Sequence, residues 1–315
     1  MNNLLVSIII PVYNREASIR RSIDSALEQT YTPLEVIVVD DGSTDRTVSI
    51  VEEYGNQIRL VRQANQGPSA ARNAGVAHSM GEILSFLDSD DSWRPEKLER
   101  QVRLMEHGGM TVVCCICNAA IHSDKEESDT SFRISDVESK ISEGYWLNPA
   151  QIIATRFVLF NQVVSIRRHA FEQVRGFDET LRLLEDHDLA YRLAGLGPWA
   201  FISEKLVDKF NGSDGIGVIA MRDPEIHLKA WTAVLMRFLE DPSATKHGLK
   251  GYLRSSLIDG RLEIKALGFL EDKLACRRIQ GLALQCFVRI RRGVRRRLPW
   301  WPRVKACQKL DGISQ

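Results

Sequence analysis

The stretch FLDSDDSW, from Phe86 to Trp93, places Asp88, Asp90 and Asp91 directly after an apolar run. Carboxylates this close repel one another, so a compensating charge is expected, and a bound cation supplies one. Asp and Ser are also ordinary turn residues at the end of a strand. The stretch alone leaves both interpretations open.

The spacing of two of these aspartates favours a metal ion shared with a phosphorylated substrate. Side chains two residues apart in an extended chain point to the same side, so Asp88 and Asp90 are predicted to be oriented together. Carboxylates arranged in this way, without forming a full cage, suit Mg²⁺ or Mn²⁺ bound jointly with substrate phosphates. Such a metal would offset diphosphate charge and stabilise a diphosphate leaving group.

Three further residues complete a candidate nucleoside-diphosphate site. Arg72 offers a planar cation, Asp40 an acceptor for a base N–H, and Tyr13 an aromatic face. Taken singly these signals are weak, because a lone helical arginine is more often solvated and a lone DxD has many false positives. The prediction depends on the ordered set.

The composition is that of a soluble globular protein with one full α/β domain and an extension, or two small domains. The 315 residues are 44% hydrophobic and 26% charged, and the formal net charge of +1 gives no sign of a nucleic-acid partner. The early apolar run stops at Pro11, too short to span a membrane. Cys114, Cys115 and Cys117 lack a second metal half-site and are predicted to be buried strand thiols in a reducing cytoplasm.

The elements that must position these residues alternate between strand and helix. Helices are predicted between the strands, one with Ser43 as its N-cap and others after Pro68 and Pro95. Near-continuous apolar strands that alternate with helices predict an α/β fold with a mostly parallel sheet, covered by helices on both faces. The predicted strands are Val6–Tyr13, Glu35–Asp40, Ile58–Val61, Glu82–Asp88 and Thr111–Cys117.

The order of the segments predicts where a ligand binds and what covers it. Ligands of such sheets bind beyond the carboxyl ends of the strands, where residues 11–14, 40–43 and 88–91 are predicted to share one rim. The stretch from Ile121 to Leu147 is polar and predicts a long surface loop or lid. After about Gly217 the pattern is mostly helical.

Five motifs, in this order and spacing, resemble the family 2 glycosyltransferases with the GT-A fold: VSIIIPVYN, EVIVVDDGSTD, NQGPSAARNAG, GEILSFLDSDD and LLEDHDLAYRL. The resemblance covers roughly residues 4 to 210. It implies a Rossmann-like, mostly parallel sheet within a catalytic domain at 1–217, with a nucleotide-binding half at 1–120 and an acceptor-binding half at 121–217. Residues 218–315 are predicted to form a helical, basic C-terminal extension.

The resemblance also implies an activity and its residues. The implied reaction is inverting sugar transfer from a nucleotide donor, with Mn²⁺ or Mg²⁺ as cofactor. By position, the implied nucleotide contacts are Pro11, Tyr13, Asp40, Arg72 and Asp88, the implied metal ligands are Asp88, Asp90 and Asp91, and the implied catalytic residues are Asp186 and Glu185.

A chemical requirement supports a base in the later part of the chain. A sugar hydroxyl is a poor nucleophile at neutral pH, so a positioned carboxylate must take its proton during attack. Inversion requires that base on the face opposite the leaving diphosphate, and Asp186 lies far along the chain from the DxD stretch. Glu185 and Asp188 are the competing candidates, although Asp188 is expected to turn elsewhere on a helix. Acidic residues at a helix start can also simply complement its dipole.

Two departures from the family pattern bear on the details. The loop after the last strand, DKFNGSDGIG, carries Lys209 and Ser213 where family members often have a His or Arg with a Ser. There is no QxxRW motif and no transmembrane bundle, which favours single additions over processive synthesis. The donor is predicted to be UDP-linked, and the acceptor a glycan or lipid-linked saccharide in cell-surface polysaccharide or glycoconjugate synthesis. A non-catalytic homologue that binds nucleotide-sugar or glycan is the alternative.

The end of the chain predicts attachment to an anionic membrane surface, which would place the protein in the cytoplasm at the inner face of the cell membrane. The alternative is a helix that packs its apolar side on the catalytic domain, and nucleic acid is not an expected partner. Apolar residues and then Trp300 and Trp301 accompany the basic residues, as in interfacial helices. The basic residues, with no Asp or Glu between the first and the last, are Arg277, Arg278, Arg289, Arg291, Arg292, Arg295, Arg296, Arg297, Arg303 and Lys305.

Overall fold

The computed structural model describes residues 4–123, 126–153, 156, 161–210 and 224–240. The chain divides into two compact units near residue 218. In the second unit the described part is a single helix, Pro224–Glu240, which buries Val234, Leu235 and Phe238. The functional division predicted from the sequence stays a prediction.

The first unit is built on one mixed sheet. Its strands in the described residues are β1 (Val6–Val12), β2 (Leu34–Asp40), β3 (Arg59–Arg62), β4 (Ile83–Phe86), β5 (Ser92–Trp93), β6 (Cys114–Ser123), β7 (Glu126–Thr130), β8 (Glu143–Trp146), β9 (Val164–Arg167) and β10 (Trp199–Phe210). The strand order is β3-β2-β1-β4-β9-β6-β10-β5, with β7 on β6 and β8 on β10. Strands β3, β2, β1 and β4 are parallel, and β10 is parallel to β6. The predicted α/β fold is confirmed.

Helices connect and cover these strands. In the described residues they are α1 (Ile19–Leu27), α2 (Thr47–Glu52), α3 (Pro68–Ala77), α4 (Lys97–His107), α5 (Ser131–Ile134), α6 (Pro149–Ile153), α7 (Arg168–Gln173), α8 (Glu185–Ala194) and, in the second unit, α9 (Pro224–Glu240). The predicted starts after Pro68 and Pro95 are confirmed.

The predicted N-cap of α2 is wrong. Ser43 is not the N-cap of α2, because its hydroxyl instead accepts the backbone N–H of Asn14 at 3.0 Å. The N-cap of α2 is Arg46, and Oδ1 of Asp45 accepts the N–H of Thr47, the first residue of the helix, at 2.9 Å. The Ser43 side chain therefore ties the turn that follows β2 to the end of β1.

The segment from Ile121 to Leu147 is not a surface loop or lid. It contains the end of β6, all of β7 and β8, and α5, and it contributes fully buried aromatic side chains. Trp146 packs against Trp199 and Phe201 of β10, with ring centroids 6.5 and 5.6 Å apart. The exposed polar residues of β7 dominate the composition of the segment, so composition alone does not reveal the buried aromatic residues of β8.

Helix α3 lies unusually close to the sheet, and this close packing fixes the position of its residues relative to the sheet. A Cβ added at Gly75 would come within 2.4 Å of the Ile9 side chain, so the helix backbone approaches β1 where only glycine fits. Helix and strand are thus locked together behind the rim at which β1 and β2 end. Arg72, one turn before Gly75, is held in place by this packing.

The cysteines of β6 have a structural role. Cys114, Cys115 and Cys117 are free and fully buried, and burial raises the pKa of the Cys117 thiol to about 11. Thiols in such surroundings are inert. This confirms the predicted burial. Within the described parts of the chain, no helix has both the length and the apolar character needed to cross a membrane.

Candidate active site

The aspartate-rich stretch is a tight turn held between two strands. β4 ends at Phe86, the N–H of Asp91 bonds the carbonyl of Asp88 at 3.1 Å, and β5 then pairs antiparallel with β10. The turn is therefore fixed at both ends by the sheet. The backbone that carries the three carboxylates is thereby held in a defined conformation.

Each aspartate of the turn has its own cation. Asp88 accepts a hydrogen bond from Arg72 at 2.8 Å. Asp90 lies 3.8 Å from the Nε of Arg15, and its side chain is 29% exposed. Asp91 has no exposed side-chain surface and lies 3.7 Å from the Nζ of Lys209. The expected compensation for the repulsion is thus supplied in part by three separate protein cations.

Arg72 joins the aspartate turn to the start of α8. Its guanidinium is buried and donates to Asp88 through Nη2 and to Glu185 through Nη1, at 2.8 and 3.0 Å. The guanidinium carbon also lies 5.3 Å from the ring centroid of Phe177. Burial acts to lower the pKa of Arg72, but Asp88 and Glu185 raise it above its ordinary value. Residues far apart in sequence are brought together here, as the ordered motifs predict.

Helix α8 starts at the predicted catalytic pair, and the backbone before it is strained. Leu184, the N-cap, has φ +64°, a left-handed conformation that is unfavourable for a leucine. Asp186 accepts the N–H of His187 at 2.7 Å. Burial, with the charges of Glu185 and Asp88, raises the pKa of Asp186 to about 7. A carboxylate that titrates near neutrality is well matched to general-base work.

The two competing carboxylates on α8 are engaged elsewhere. Asp188 is buried and accepts from Arg192, one turn later, at 2.6 and 2.9 Å. Glu185 is committed to Arg72. Among the described residues, Arg72 and Arg192 thus engage the two carboxylates that flank Asp186 on this helix, which leaves Asp186 as the candidate base.

The charged groups at the rim affect the pKa values of Asp88 and Asp90. Burial acts to raise the pKa of Asp88, but Arg72 and Lys209 outweigh it, and the pKa lies below its ordinary value. Burial and the nearby Asp88 raise the pKa of Asp90. Repulsion between these two carboxylates is the kind that a bound cation relieves.

The donor set fits a divalent metal that is shared with a ligand. Asp88 and Asp90 offer oxygen atoms, which Mg²⁺ and Mn²⁺ prefer. Among the described residues, no group of three or more His, Cys, Asp or Glu side chains is arranged to hold a metal ion.

The predicted nucleotide contacts lie at the ends of neighbouring strands. Pro11 and Asp40 are one residue apart in the β1–β2 register, and both are buried. Asp40 accepts the N–H of Ser43 at 3.1 Å, and Arg62 lies 3.8 Å away. Tyr13, just beyond β1, is 46% exposed. Their assignment to a nucleotide stays a prediction.

Sequence reasoning missed the residue that ties these strands to α3. Asp41 is buried and accepts from the Gln63 amide and from the N–H groups of Gln66 and Gly67, at 2.8, 2.9 and 2.8 Å. These contacts hold the loop that leads into the helix carrying Arg72. Its position beside Asp40 at a strand end was the available signal, but the same residues also make an ordinary turn.

Comparison with known proteins gives one family. Residues 7–169 match the sequence model described as glycosyl transferase family 2. An uncharacterized glycosyltransferase of Rickettsia prowazekii (strain Madrid E) is 28% identical over 268 residues, covering 85% of this chain and 82% of the relative. One from Rickettsia typhi (strain ATCC VR-144 / Wilmington) is 29% identical over 268 residues, with the same coverage of 85% and 82%.

Two solved structures share the fold. S. aureus TarS 1-349 in complex with UDP-GlcNAc has a TM-score of 0.65 at 21% identity, covering 82% of this chain and 73% of that one. The mannosyltransferase PcManGT from Pyrobaculum calidifontis, in complex with GDP-Man and Mn²⁺, has a TM-score of 0.58 at 20% identity, covering 92% and 81%. At these identities the likeness establishes the fold.

Proposed function

The chain belongs to glycosyl transferase family 2 and is a glycosyltransferase with the GT-A fold, and from this premise we propose that it transfers a single sugar, with inversion, from a UDP-linked donor to a glycan or lipid-linked saccharide. The observation that supports this most directly is the Arg72 bridge, which holds Asp88 of the DxD turn and Glu185 in one site. Donor rim and candidate base are thereby fixed relative to each other.

The proposed reaction assigns each bond change to a group. The acceptor hydroxyl oxygen attacks the anomeric carbon from the face opposite the diphosphate. The bond from that carbon to the diphosphate oxygen breaks, and its electron pair leaves with the nucleoside diphosphate. The hydroxyl proton passes to the carboxylate of Asp186, whose pKa of about 7 allows it to be ionised beforehand and protonated afterwards.

The donor would lie along the rim. Tyr13 offers its exposed ring to the base, and Asp40 offers a carboxylate oxygen to a base N–H. The choice of uracil rests on the resemblance and on the likeness to the UDP-GlcNAc complex of TarS. Asp88 and Asp90 would hold Mn²⁺ or Mg²⁺, and a metal bound there would offset negative charge on the diphosphate as it leaves.

Nucleotide-sugar binding tests the proposal. UDP-, GDP- and dTDP-sugars are compared by thermal shift with Mn²⁺, because a ligand that binds only the folded state raises its midpoint. Release of nucleoside diphosphate is then measured with and without a saccharide acceptor, and the anomeric NMR signal of the product reports inversion. Binding without any release would instead favour a non-catalytic homologue, and no binding to any of the donors would contradict the proposal.

Asp90→Ala is expected to abolish the metal dependence of donor binding while the fold persists, since a partly exposed rim carboxylate is not part of the core. Calorimetry of UDP binding with and without Mn²⁺ measures this, and the ratio of the two affinities should fall towards one. Glu53→Ala removes another exposed carboxylate, which pairs with Arg20 on the surface, and is the matched control. An unchanged ratio in Asp90→Ala would mean that the metal site is misassigned.

Membrane attachment through the basic C-terminal region is a separate part of the proposal. Residues 277–305 lie outside the described residues, so the proposal rests on their sequence alone. Each basic residue near an anionic surface contributes about 1 kcal/mol, so several suffice for reversible attachment. Such attachment, at the inner face of the cell membrane, would give the enzyme access to a lipid-linked acceptor.

Vesicle co-sedimentation measures this attachment. The full chain is expected to pellet with phosphatidylglycerol-containing vesicles at low salt and to be released by high salt. Arg295, Arg296 and Arg297 changed together to Gln should weaken pelleting, and vesicles of phosphatidylcholine alone are the matched control. Equal pelleting with both lipids, or none with either, would contradict the proposed attachment.

A further inference from the structure

The side chain of Asp91 is directed into the protein rather than towards the rim. Its Oδ1 accepts the backbone N–H of Phe210 at 2.9 Å, and its Oδ2 accepts from the amide of Gln162 at 2.9 Å. The side chain has no exposed surface, whereas that of Asp90 is 29% exposed. To bind a cation at the rim, Asp91 would have to give up buried hydrogen bonds, which is costly.

These contacts extend the pairing of β5 with β10. Ser92 lies opposite Asp208 in that antiparallel pair, and the next contact along is made by the Asp91 side chain with Phe210. The carbonyl of Gln162 in turn accepts from the Trp93 indole at 2.9 Å, so the turn at 161–163 is held from two sides. Asp91 thus fixes the last residues of β10 against the aspartate turn.

The residue placed by this arrangement is Lys209. Its Nζ lies 3.7 Å from Oδ2 of Asp91, and 26% of its side chain is exposed. The Lys209 ammonium group therefore lies beside the aspartate turn, and part of its side chain is exposed to solvent.

We propose that Asp91 is a positioning residue rather than a metal ligand, and that it holds the Lys209 ammonium where this group contacts the diphosphate of the donor. The inference rests on the proposed function and deepens it. Lys209 would stabilise negative charge on the leaving nucleoside diphosphate. A lysine suits this role as a compact point charge.

The positioning part is tested in the protein without nucleotide. Hydrogen exchange at the peptide containing Phe210 is compared in Asp91→Ala and in the neighbouring Asp90→Ala. Asp91→Ala is expected to speed exchange about tenfold or more, because the N–H of Phe210 loses its acceptor; Asp90→Ala should leave it within about twofold. Asp91→Asn, which keeps the side-chain volume, serves if the alanine variant fails to fold. Its amide can serve Phe210 as acceptor but cannot attract the ammonium, so slow exchange with weakened diphosphate binding is the expected result.

The diphosphate part is tested by calorimetry with Mn²⁺. Lys209→Met is expected to weaken binding of UDP and GDP by about tenfold, while uridine and guanosine bind as in the wild type, and Lys209→Arg should restore most of the loss. Equal losses for nucleosides and diphosphates would overturn the contact. If EPR shows that Asp91→Ala no longer binds Mn²⁺ while hydrogen exchange at Phe210 is unchanged, Asp91 would be a metal ligand and the positioning role would be wrong. A wild type that binds neither UDP nor GDP would refute the proposed function and the diphosphate contact, while the exchange experiment would still decide how Asp91 acts.

Discussion

Asp186→Asn is expected to lower the turnover number for sugar transfer by about a hundredfold to ten-thousandfold while donor affinity stays near the wild-type value. Asparagine keeps the shape of the side chain but cannot take the proton of the acceptor hydroxyl. Donor binding is spared because the rim carboxylates Asp88 and Asp90 are untouched. Steady-state kinetics with the acceptor varied, together with calorimetry of UDP binding, separates the two effects.

The pH dependence should identify the same residue. A base must be ionised to act, so kcat/KM should rise with pH, pass its midpoint near the pKa of about 7 for Asp186, and then level off. A metal bound at the rim would move that midpoint to lower pH, because a nearby cation favours the carboxylate form. In Asp186→Asn this rise of kcat/KM with pH should be absent.

The stability of the folded protein should fall as pH rises, whereas its activity should rise. Because the folded-state pKa of Asp186 lies above its ordinary value of 3.8, the folded protein binds more protons between the two values, and stability falls as pH rises through this window. Asp186→Asn removes that loss and should raise Tm at pH 8 by about 2–4 °C. Asp188→Asn is the matched control: it breaks a buried ion pair with Arg192 and should lower Tm without removing turnover. Wild-type turnover in Asp186→Asn would transfer the role to Glu185 or Asp188.

The fold could be predicted from the sequence because its signals are local. The continuous apolar strands β1, β2 and β4 can only be buried on both faces, and a parallel sheet with helical crossovers is the arrangement that allows this. Strand ends then gather at one rim by topology. For the same reason Pro11, Asp40 and Asp88 could be named together without knowledge of any contact.

What could not be predicted depends on side-chain orientation across long sequence separations. The spacing of Asp88, Asp90 and Asp91 does not indicate that the Asp91 side chain is directed into the protein. That orientation depends on the N–H of Phe210, at the end of β10. The burial of Trp146 likewise depends on β10, which pairs with β8 more than fifty residues earlier. Strand pairing of this kind leaves little trace in local composition.

Arg72→Met is expected to destabilise the protein by about 3 kcal/mol, because it keeps most of the side-chain volume but leaves Asp88 and Glu185 without their shared cation. Chemical denaturation at pH 7 measures the free energy of unfolding. Asp88 has a pKa below its ordinary value, so the stabilisation it brings is present above that ordinary value and is lost as pH falls through the folded-state pKa. The difference between wild type and variant should therefore shrink in acid.

The same variant should also change catalysis, which distinguishes a bridge between two parts of the site from a merely stabilising ion pair. Arg72 lowers the pKa of Asp186, so its removal should move the acidic limb of kcat/KM to higher pH. Arg72→Lys keeps the charge, yet a single ammonium cannot reproduce the fork that contacts both carboxylates, so only part of the stability should return. Arg20→Met, which breaks an exposed pair with Glu53, is the control and should cost no more than about 0.5 kcal/mol. Equal stability of Arg72→Met and wild type, with an unmoved pH profile, would mean that the bridge does not hold donor rim and base together.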